Sequence, residues 1–369
     1  MIRLERRAAP SRTMVFASPL IACALTVVTG MLLFMLLGKN PMQALYVYFV
    51  KPLETQYGLG EWILKATPLI LCALGLAIGF RANVWNIGAE GQLTLGAIGG
   101  GGIALAFPEA NTWVLLPTML LAGAVSGAAW AAIPAFLRTR FNTSEILVSL
   151  MLVYIAGLLL AWLVHGPWRD PAGYNFPQSK MFSDAATLPI LITGTRAHWG
   201  FLMAIALAVM SWVFSQVSFA GFRMQVSGLA PAAAAYAGFS EKRNIWLALL
   251  TSGAAAGLAG VCEVAGPIGQ LHPTVSPGYG FAAIIVAFVG RLHAVGIVLA
   301  ALLMSLFYLG GETAQIQMAL PSAITGLFQG LLLFYLLGAD LFITYRLVLP
   351  TRVRVHESAH ANVPAKERA

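Results

Sequence analysis

The chain has 369 residues, of which 59% are hydrophobic and only 10% charged. Soluble domains carry about 25% charged residues, so the composition excludes a soluble globular protein and describes an integral membrane protein. The formal net charge of +8 does not indicate nucleic acid as a partner, because Lys and Arg are spread over short loops and the two tails and form no basic stripe with aromatics.

This length leaves room for about ten spans, at roughly 20 residues for each crossing of a hydrocarbon core about 30 Å thick. Hydropathy places them at 14–38, 63–80, 84–107, 113–137, 144–165, 199–219, 244–265, 279–291, 294–311 and 322–345. The expected fold is therefore an all-α polytopic membrane protein. It has an N-terminal tail at 1–13, a single transmembrane domain over 14–345 and a C-terminal tail at 346–369. Arg3, Arg6, Arg7 and Arg12 precede an apolar run longer than a signal-peptide core, so the first span is read as retained. Cys23, Cys72 and Cys262 lie inside apolar runs without metal-ligand spacing and read as small core hydrophobes.

Loop charge sets the expected orientation. Arg81, the Arg138/Arg140 turn, the 220–243 loop, Arg291 with His293, and both tails are placed on the cytoplasmic side. On the opposite side, 39–62 carries Tyr46, Phe49, Tyr57 and Trp62 and reads as a short amphipathic helix at the outer interface. The loop 166–198 is the largest extracytoplasmic region, fit to cover a pathway or to offer a docking surface.

Between apolar segments, Arg81 to Gly102 reads R-A-N-V-W-N-I-G-A-E-G-Q-L-T-L-G-A-I-G-G-G-G. Unpaired amides and carboxylates in hydrocarbon each cost kilocalories, so this segment must be buried in protein or line a watery cavity. Asn83, Trp85, Asn86, Gly88, Glu90, Gly91 and Gln92 are thus candidates for a transport pathway or its structural support. Glu90 has two readings. It is either a pathway carboxylate, as intramembrane charges commonly are, or a brace that accepts hydrogen bonds from the N–H groups of a helix start. The brace outweighs direct substrate contact. Gly99 to Gly102 permits close helix approach.

A second interrupted stretch lies in the other half. Gly266 to Gly280 contains Pro267, Pro273 and Pro277, with Gly278 and Tyr279 at its end and Glu263 just before it. Paired interruptions in corresponding halves are the best sequence pointer to a transport site, and they raise an inverted repeat as a hypothesis. Glu263 reads as a group at the outer end of its span. No H-E-x-x-H, G-x-S-x-G or Walker A pattern occurs, and the six histidines are scattered. The expectation is a chain with no catalytic residues, no metal site and no ATPase of its own.

The loop 220–243 holds the last feature. Pro231 suits a helix N1 position, Ala232 to Ala237 propagate a helix and Gly238 stops it. Such a helix of about seven residues is marginal in water alone and needs a partner surface. Gly228, Pro231, Ala235, Tyr236, Ala237 and Gly238 are its candidate contact residues.

Three segments resemble one family. F-R-A-N-V-W-N-I-G-A-E-G-Q, Phe80 to Gln92, is similar to the nucleoside-type version of a motif in permeases of ATP-binding-cassette (ABC) importers. These importers form the branch for branched-chain amino acids, simple sugars and nucleosides. The 220–243 loop resembles that family's coupling helix, although Leu229 to Tyr236 is more apolar than the usual pattern. F-V-G-R-L-H-A-V-G, Phe288 to Gly296, resembles a third segment, with Ala294 where the family has proline.

The resemblance implies a vitamin-B12-importer-like bundle with an inverted repeat and broken helices. It also implies a second permease subunit, as homo- or heterodimer, and a cytoplasmic ABC ATPase that binds the ATP and is coupled through the 228–239 helix. An extracytoplasmic substrate-binding lipoprotein completes the system, in a bacterial cytoplasmic (inner) membrane with both termini inside. Nucleoside import by alternating access is the leading expectation. A simple sugar or another small solute is the alternative, and an ion-coupled secondary transporter using Glu90 and Glu263 is a different class.

Overall fold

In hydrocarbon every backbone N–H and C=O must be paired within the protein, and a helix does this locally. The computed structural model describes residues 3–7 and 11–348, and these form thirteen α-helices and one pair of short strands. The helices are α1 (Arg12–Leu36), α2 (Pro41–Leu45), α3 (Gln56–Arg81), α4 (Ala89–Ala106), α5 (Thr112–Phe141), α6 (Glu145–His165) and α7 (Gly200–Gln216). They continue with α8 (Phe219–Leu229), α9 (Pro231–Tyr236), α10 (Glu241–Glu263), α11 (Tyr279–Val289), α12 (Ala294–Met318) and α13 (Ala323–Thr344).

Each of the ten expected spans finds a helix, but they are not ten equal crossings. Seven helices are long and apolar enough to cross a membrane alone, and an eighth span arises if α7 and α8, bent by 67°, count as one. The two remaining members are the interrupted ones. α4 begins only at Ala89, because 82–88 is non-helical, and the 11 residues of α11 reach about 16 Å, half a bilayer core.

The structure corrects one expectation and adds detail to two others. The segment 39–62 is no single interfacial helix. Pro41 and Pro52 divide it into α2, one wide π turn at 46–50 and a 3-10 turn at 51–53, and α3 already starts at Gln56. What draws it inward is Tyr48, a residue absent from the expected aromatic face. Its ring is fully buried and stacks on Phe328 at 4.8 Å, and its hydroxyl donates to the Phe307 carbonyl at 2.9 Å. The short helix expected in the 220–243 loop is there as the six-residue α9, and the loop also holds most of α8, to which Gly228 belongs. Finally, the two tails meet near the bundle. Arg3–Arg6 (β1) pairs antiparallel with Tyr345–Val348 (β2), and Arg346 meets Glu5 at 3.0 Å. The other tail residues, 1–2, 8–10 and 349–369, lie outside the described residues.

The inner packing rests on glycine. A Cβ on Gly96 would overlap the backbone of Gly257, one on Gly257 would overlap the Gly123 carbonyl, and one on Gly127 would overlap the Gly253 carbonyl. α4, α5 and α10 therefore meet backbone to backbone, which is how helices associate where lipid offers no hydrophobic drive. The glycine run at 99–102 serves the same purpose, packing on Ser126, Val261, Leu271 and Trp168. Overpacking such a seam costs about 1–3 kcal/mol or more. Gly257→Ala should accordingly lower the melting temperature of the detergent-purified protein by several degrees. Gly157→Ala, at a helical glycine with nothing within 4 Å of the added methyl, should leave it unchanged or raise it slightly.

Candidate functional site

The site grows from the break between α3 and α4. Asn83 turns the chain with a left-handed φ of 56°, and its side chain accepts from the Trp85 indole N–H at 3.0 Å. The Trp85 ring stacks on Phe288 at 5.8 Å and tilts against Phe80 at 5.1 Å. Its backbone N–H donates to Glu145 at 3.1 Å, and Glu145 is also ion-paired with Arg138. The Ile87 N–H finds the Ser149 hydroxyl at 3.2 Å.

Asn86 ties the next layer. Its amide N–H groups donate to Gln92 Oε1 at 2.8 Å and Ser252 Oγ at 2.9 Å, and its Oδ1 accepts from Gly88 N–H at 3.0 Å and Gln92 Nε2 at 3.1 Å. Both amides are buried and satisfy each other, as buried polar groups must. Gly88 and Gly91 are contact positions. A Cβ on Gly88 would come within 2.8 Å of Ser149, and one on Gly91 within 2.9 Å of the Val153 backbone.

Glu90 lies in the first turn of α4 and reaches out of its own helix. Its Oε2 accepts from the Gly280 N–H of α11 at 2.7 Å, and Ser276 and the Gly278 backbone face the same carboxylate. Gly280 is needed for this approach, because a Cβ there would overlap the Glu90 backbone. The remaining donors of the α11 start go to Ser276 Oγ, from Gly278 N–H at 3.2 Å and Tyr279 N–H at 3.0 Å. Gly278 itself adopts φ +97°, a conformation open to glycine. Thus two interrupted helices meet N-terminus to N-terminus around one carboxylate, where both positive helix ends favour it.

Tyr279 is buried, edge-on to Tyr308 at 5.3 Å. Beside this junction an open cleft of about 340 Å³ is lined by Pro277, Tyr308, Glu312, Gln315, Thr325 and Gln329, among others. Glu263, the last residue of α10, shares the electrostatic neighbourhood of Glu90, Glu61, Lys65 and Arg196.

At one end of the bundle, α9 exposes Tyr236 almost completely, with Pro231, Ala235, Ala237 and Gly238 also exposed, and turns Ala234 inward. Gly228 seats α8 on the Arg81 carbonyl, closer than any side chain would permit. Arg81 donates to the Leu292 carbonyl at 2.7 Å. At the other end, Arg196 holds buried Glu61 with two bonds of 2.8 and 2.6 Å, and Lys65 holds Glu312 at 2.8 Å. The loop 166–198 is strapped there by hydrogen bonds from Ser179, Phe182 and Leu188 to the Leu271, Gly269 and Ala265 carbonyls, at 2.8, 2.8 and 2.7 Å. His198 is buried against Gly200 and Gly266, its Nδ1 accepting the Gly200 N–H at 3.1 Å, and burial pushes its imidazole down to about 4.

Ser276, Gly280, Tyr308, Gln329 and the Arg138–Glu145 pair escaped sequence reading. Only the crowding of breakers before Tyr279 signalled the first two. Among the described residues no group of three or more His, Cys, Asp or Glu side chains is arranged to hold a metal ion.

The structure is thus a helical bundle with two interrupted helices, an open cleft beside their junction and a short helix displayed at one end. Residues 58–337 match the family described as branched-chain amino acid transport system / permease component, and the chain belongs to that family. It is 36% identical over 94% of its length, and 93% of the relative's, to a glucose ABC transporter permease of Haloferax volcanii. To a guanosine ABC transporter permease of Bacillus subtilis it is 31% identical, over 86% of this chain and 91% of the other. A nucleoside ABC transporter permease of Lactococcus lactis is 31% identical over 79% and 82% of the two chains. The chain is therefore a multi-pass permease subunit of an ABC transporter. Its family works with a separate ATPase and usually with a second permease.

Two measurements probe the junction. Glu90→Gln keeps an acceptor for Gly280 but removes the charge, and should destabilise the purified protein by about 1–2 kcal/mol in thermal or denaturant unfolding. Below pH 6.5 the neutral His198 should become a liability. Its folded-state pKa near 4 lies under the ordinary value of about 6.5, so its contribution is intact above pH 6.5 and shrinks by about 3 kcal/mol on descending to pH 4. His198→Asn, which retains an acceptor, should flatten that part of the stability–pH curve.

Proposed function

We propose that this permease forms half of the translocation pathway of an ATP-driven importer for neutral solutes built on a sugar ring, with nucleosides as the leading class. The observation that carries the reading is the meeting of α4 and α11 around Glu90, with α9 displayed at the end where 82–84 begins the bent segment. Such a junction joins elements that can separate and reseat as units, which alternating access requires. α9 is the coupling element, and the exposed Tyr236 is its contact with the ATPase. A second permease, homologous or identical, closes the pathway, and an extracytoplasmic binding lipoprotein delivers the solute.

The substrate class is supported by the nucleoside-type wording of Phe80 to Gln92 and by relatives named for guanosine and nucleosides. A hexose is the second reading, favoured by the 36% identity to a permease named for glucose. Guanosine and glucose share a neutral, hydroxylated sugar ring. Orientation follows the Lys and Arg of Arg81, Arg138, Arg140 and Arg291, which places α9 and both termini in the cytoplasm. The membrane is the cytoplasmic one.

The test is uptake of radiolabelled adenosine, uridine and glucose by cells that express the complete transporter and lack their own carriers. Uptake should need the intact ATPase, and Tyr236→Arg should reduce it about tenfold or more with the permease still present in the membrane, as lost coupling of roughly 1.4 kcal/mol or more. Uptake that persists without the ATPase and collapses with the ion gradient overturns the reading.

A further inference from the structure

The far end of α11 carries a second polar anchor. The turn 290–293 that leads into α12 is tight, with Gly290 and Gly296 touching backbone to backbone. Within it Arg291 and Leu292 adopt left-handed φ values of 57° and 54°, a costly conformation for residues of these types. Such residues persist only where their surroundings hold them. The Leu292 carbonyl accepts from Arg81 Nη2 at 2.7 Å and Nε at 3.1 Å. The Arg291 guanidinium reaches across to α13 and donates to both oxygens of Asp340, at 2.7 and 2.6 Å. Ser18 of α1 completes the cluster, its hydroxyl donating to Asp340 Oδ1 at 2.7 Å and accepting from Arg291.

α1 and α13 form a pair of their own. β1 and β2 join the start of one to the end of the other, Thr29 bonds Tyr335 at 2.6 Å, and Gly30 lies against the Phe328 ring. Among the described residues, Arg291 is the one group beyond α13 that hydrogen-bonds to α1 from elsewhere in the bundle. The Arg291 and Asp340 side chains are 26% and 31% exposed, so water can take both charges when they part. α11 is therefore pinned at both ends by reversible polar bonds, to Glu90 at its start and to Asp340 at its finish. A bidentate pair of arginine and carboxylate fixes geometry as well as adding energy. We propose that Arg291 is a positioning residue for transport: with Asp340 and Ser18 it latches α11 to the α1–α13 pair in one state of the cycle and lets go in the other. The inference rests on the alternating access proposed above. Opening the latch removes what holds Arg291 and Leu292 left-handed, so the turn relaxes as α11 reseats.

The complete transporter in proteoliposomes tests this. ATP hydrolysis is measured without the binding protein and with it, loaded with whichever of adenosine and glucose the wild type imports. The readout is the ratio of the two rates. Asp340→Asn keeps the shape of the side chain and removes its charge, while Arg291→Asp suits a left-handed φ and reverses the charge. Each should raise hydrolysis without binding protein and cut the ratio about fivefold or more, because the resting state is no longer favoured. The double variant Arg291→Asp with Asp340→Arg rebuilds the pair with its charges exchanged, and should return the ratio to within about twofold of the wild type. Melting temperatures of the same samples separate a latch from a static brace. A brace lowers them in the single variants and leaves the ratio of the folded protein unchanged. That result, or a double variant no better than the singles, overturns the latch. If neither charge variant folds, Ser18→Ala decides: it spares the ion pair and should still lower the ratio about twofold, and an unchanged ratio overturns the latch. A wild type indifferent to the loaded binding protein sinks the importer reading itself, whereas one that responds while the variants keep its ratio sinks the latch alone.

Discussion

The bond from Gly280 N–H to Glu90 solves the most expensive problem in this structure. A helix start leaves donors without intrahelical partners, and inside a membrane no bulk water takes them. This chain places two such starts deep in the bundle, at Ala89 and Tyr279. Glu90 belongs to the first and serves the second, while Ser276 takes two more donors of the α11 start and Asn86 one at Gly88. Close approach comes from Gly280, whose missing side chain lets the two starts touch. The glycine seams among α4, α5 and α10 then hold α4 where the bond can form.

The bent segment 82–88 also connects the junction to the far end of the bundle. Its carbonyl end receives α8 at Gly228, and the cavity beneath α9 is walled by Ala82, Asn83 and Val84 together with Pro231 and Ala235. Phe288 of α11 stacks on both Phe80 and Trp85, and Arg81 bonds the Leu292 carbonyl just past α11. Both short helices are thereby packed on the same few residues that α9 rests on. A close-packed interior does not absorb displacement gradually, so a displacement of α9 reaches the start of α4 and the C-terminal end of α11 through direct contacts.

Sequence reading found the segments and missed the pairings. Ten apolar runs, the glycine-rich break and the exposed loop helix are local patterns, and hydropathy or turn chemistry exposes them. The partners are not local. Asn86 bonds Ser252 across 166 positions, and Glu90 bonds Gly280 across 190. A polar residue in an apolar run announces that it has a partner without naming it. The segment 39–62 failed for a related reason. Its outward tyrosines, Tyr46 and Tyr57, suggested an interface helix, yet the residue that decides its place is Tyr48, buried among Phe34, Phe49, Phe307 and Phe328.

This division bears on where substrate identity is written. The residues that make the first motif distinctive, Asn86, Gln92 and Glu90, spend polar atoms on one another, on Ser252 and on backbone. A motif consumed in this way preserves a bent backbone and has little left with which to discriminate solutes. Discrimination needs polar groups that remain unsatisfied until a solute arrives, since only those penalise the wrong one.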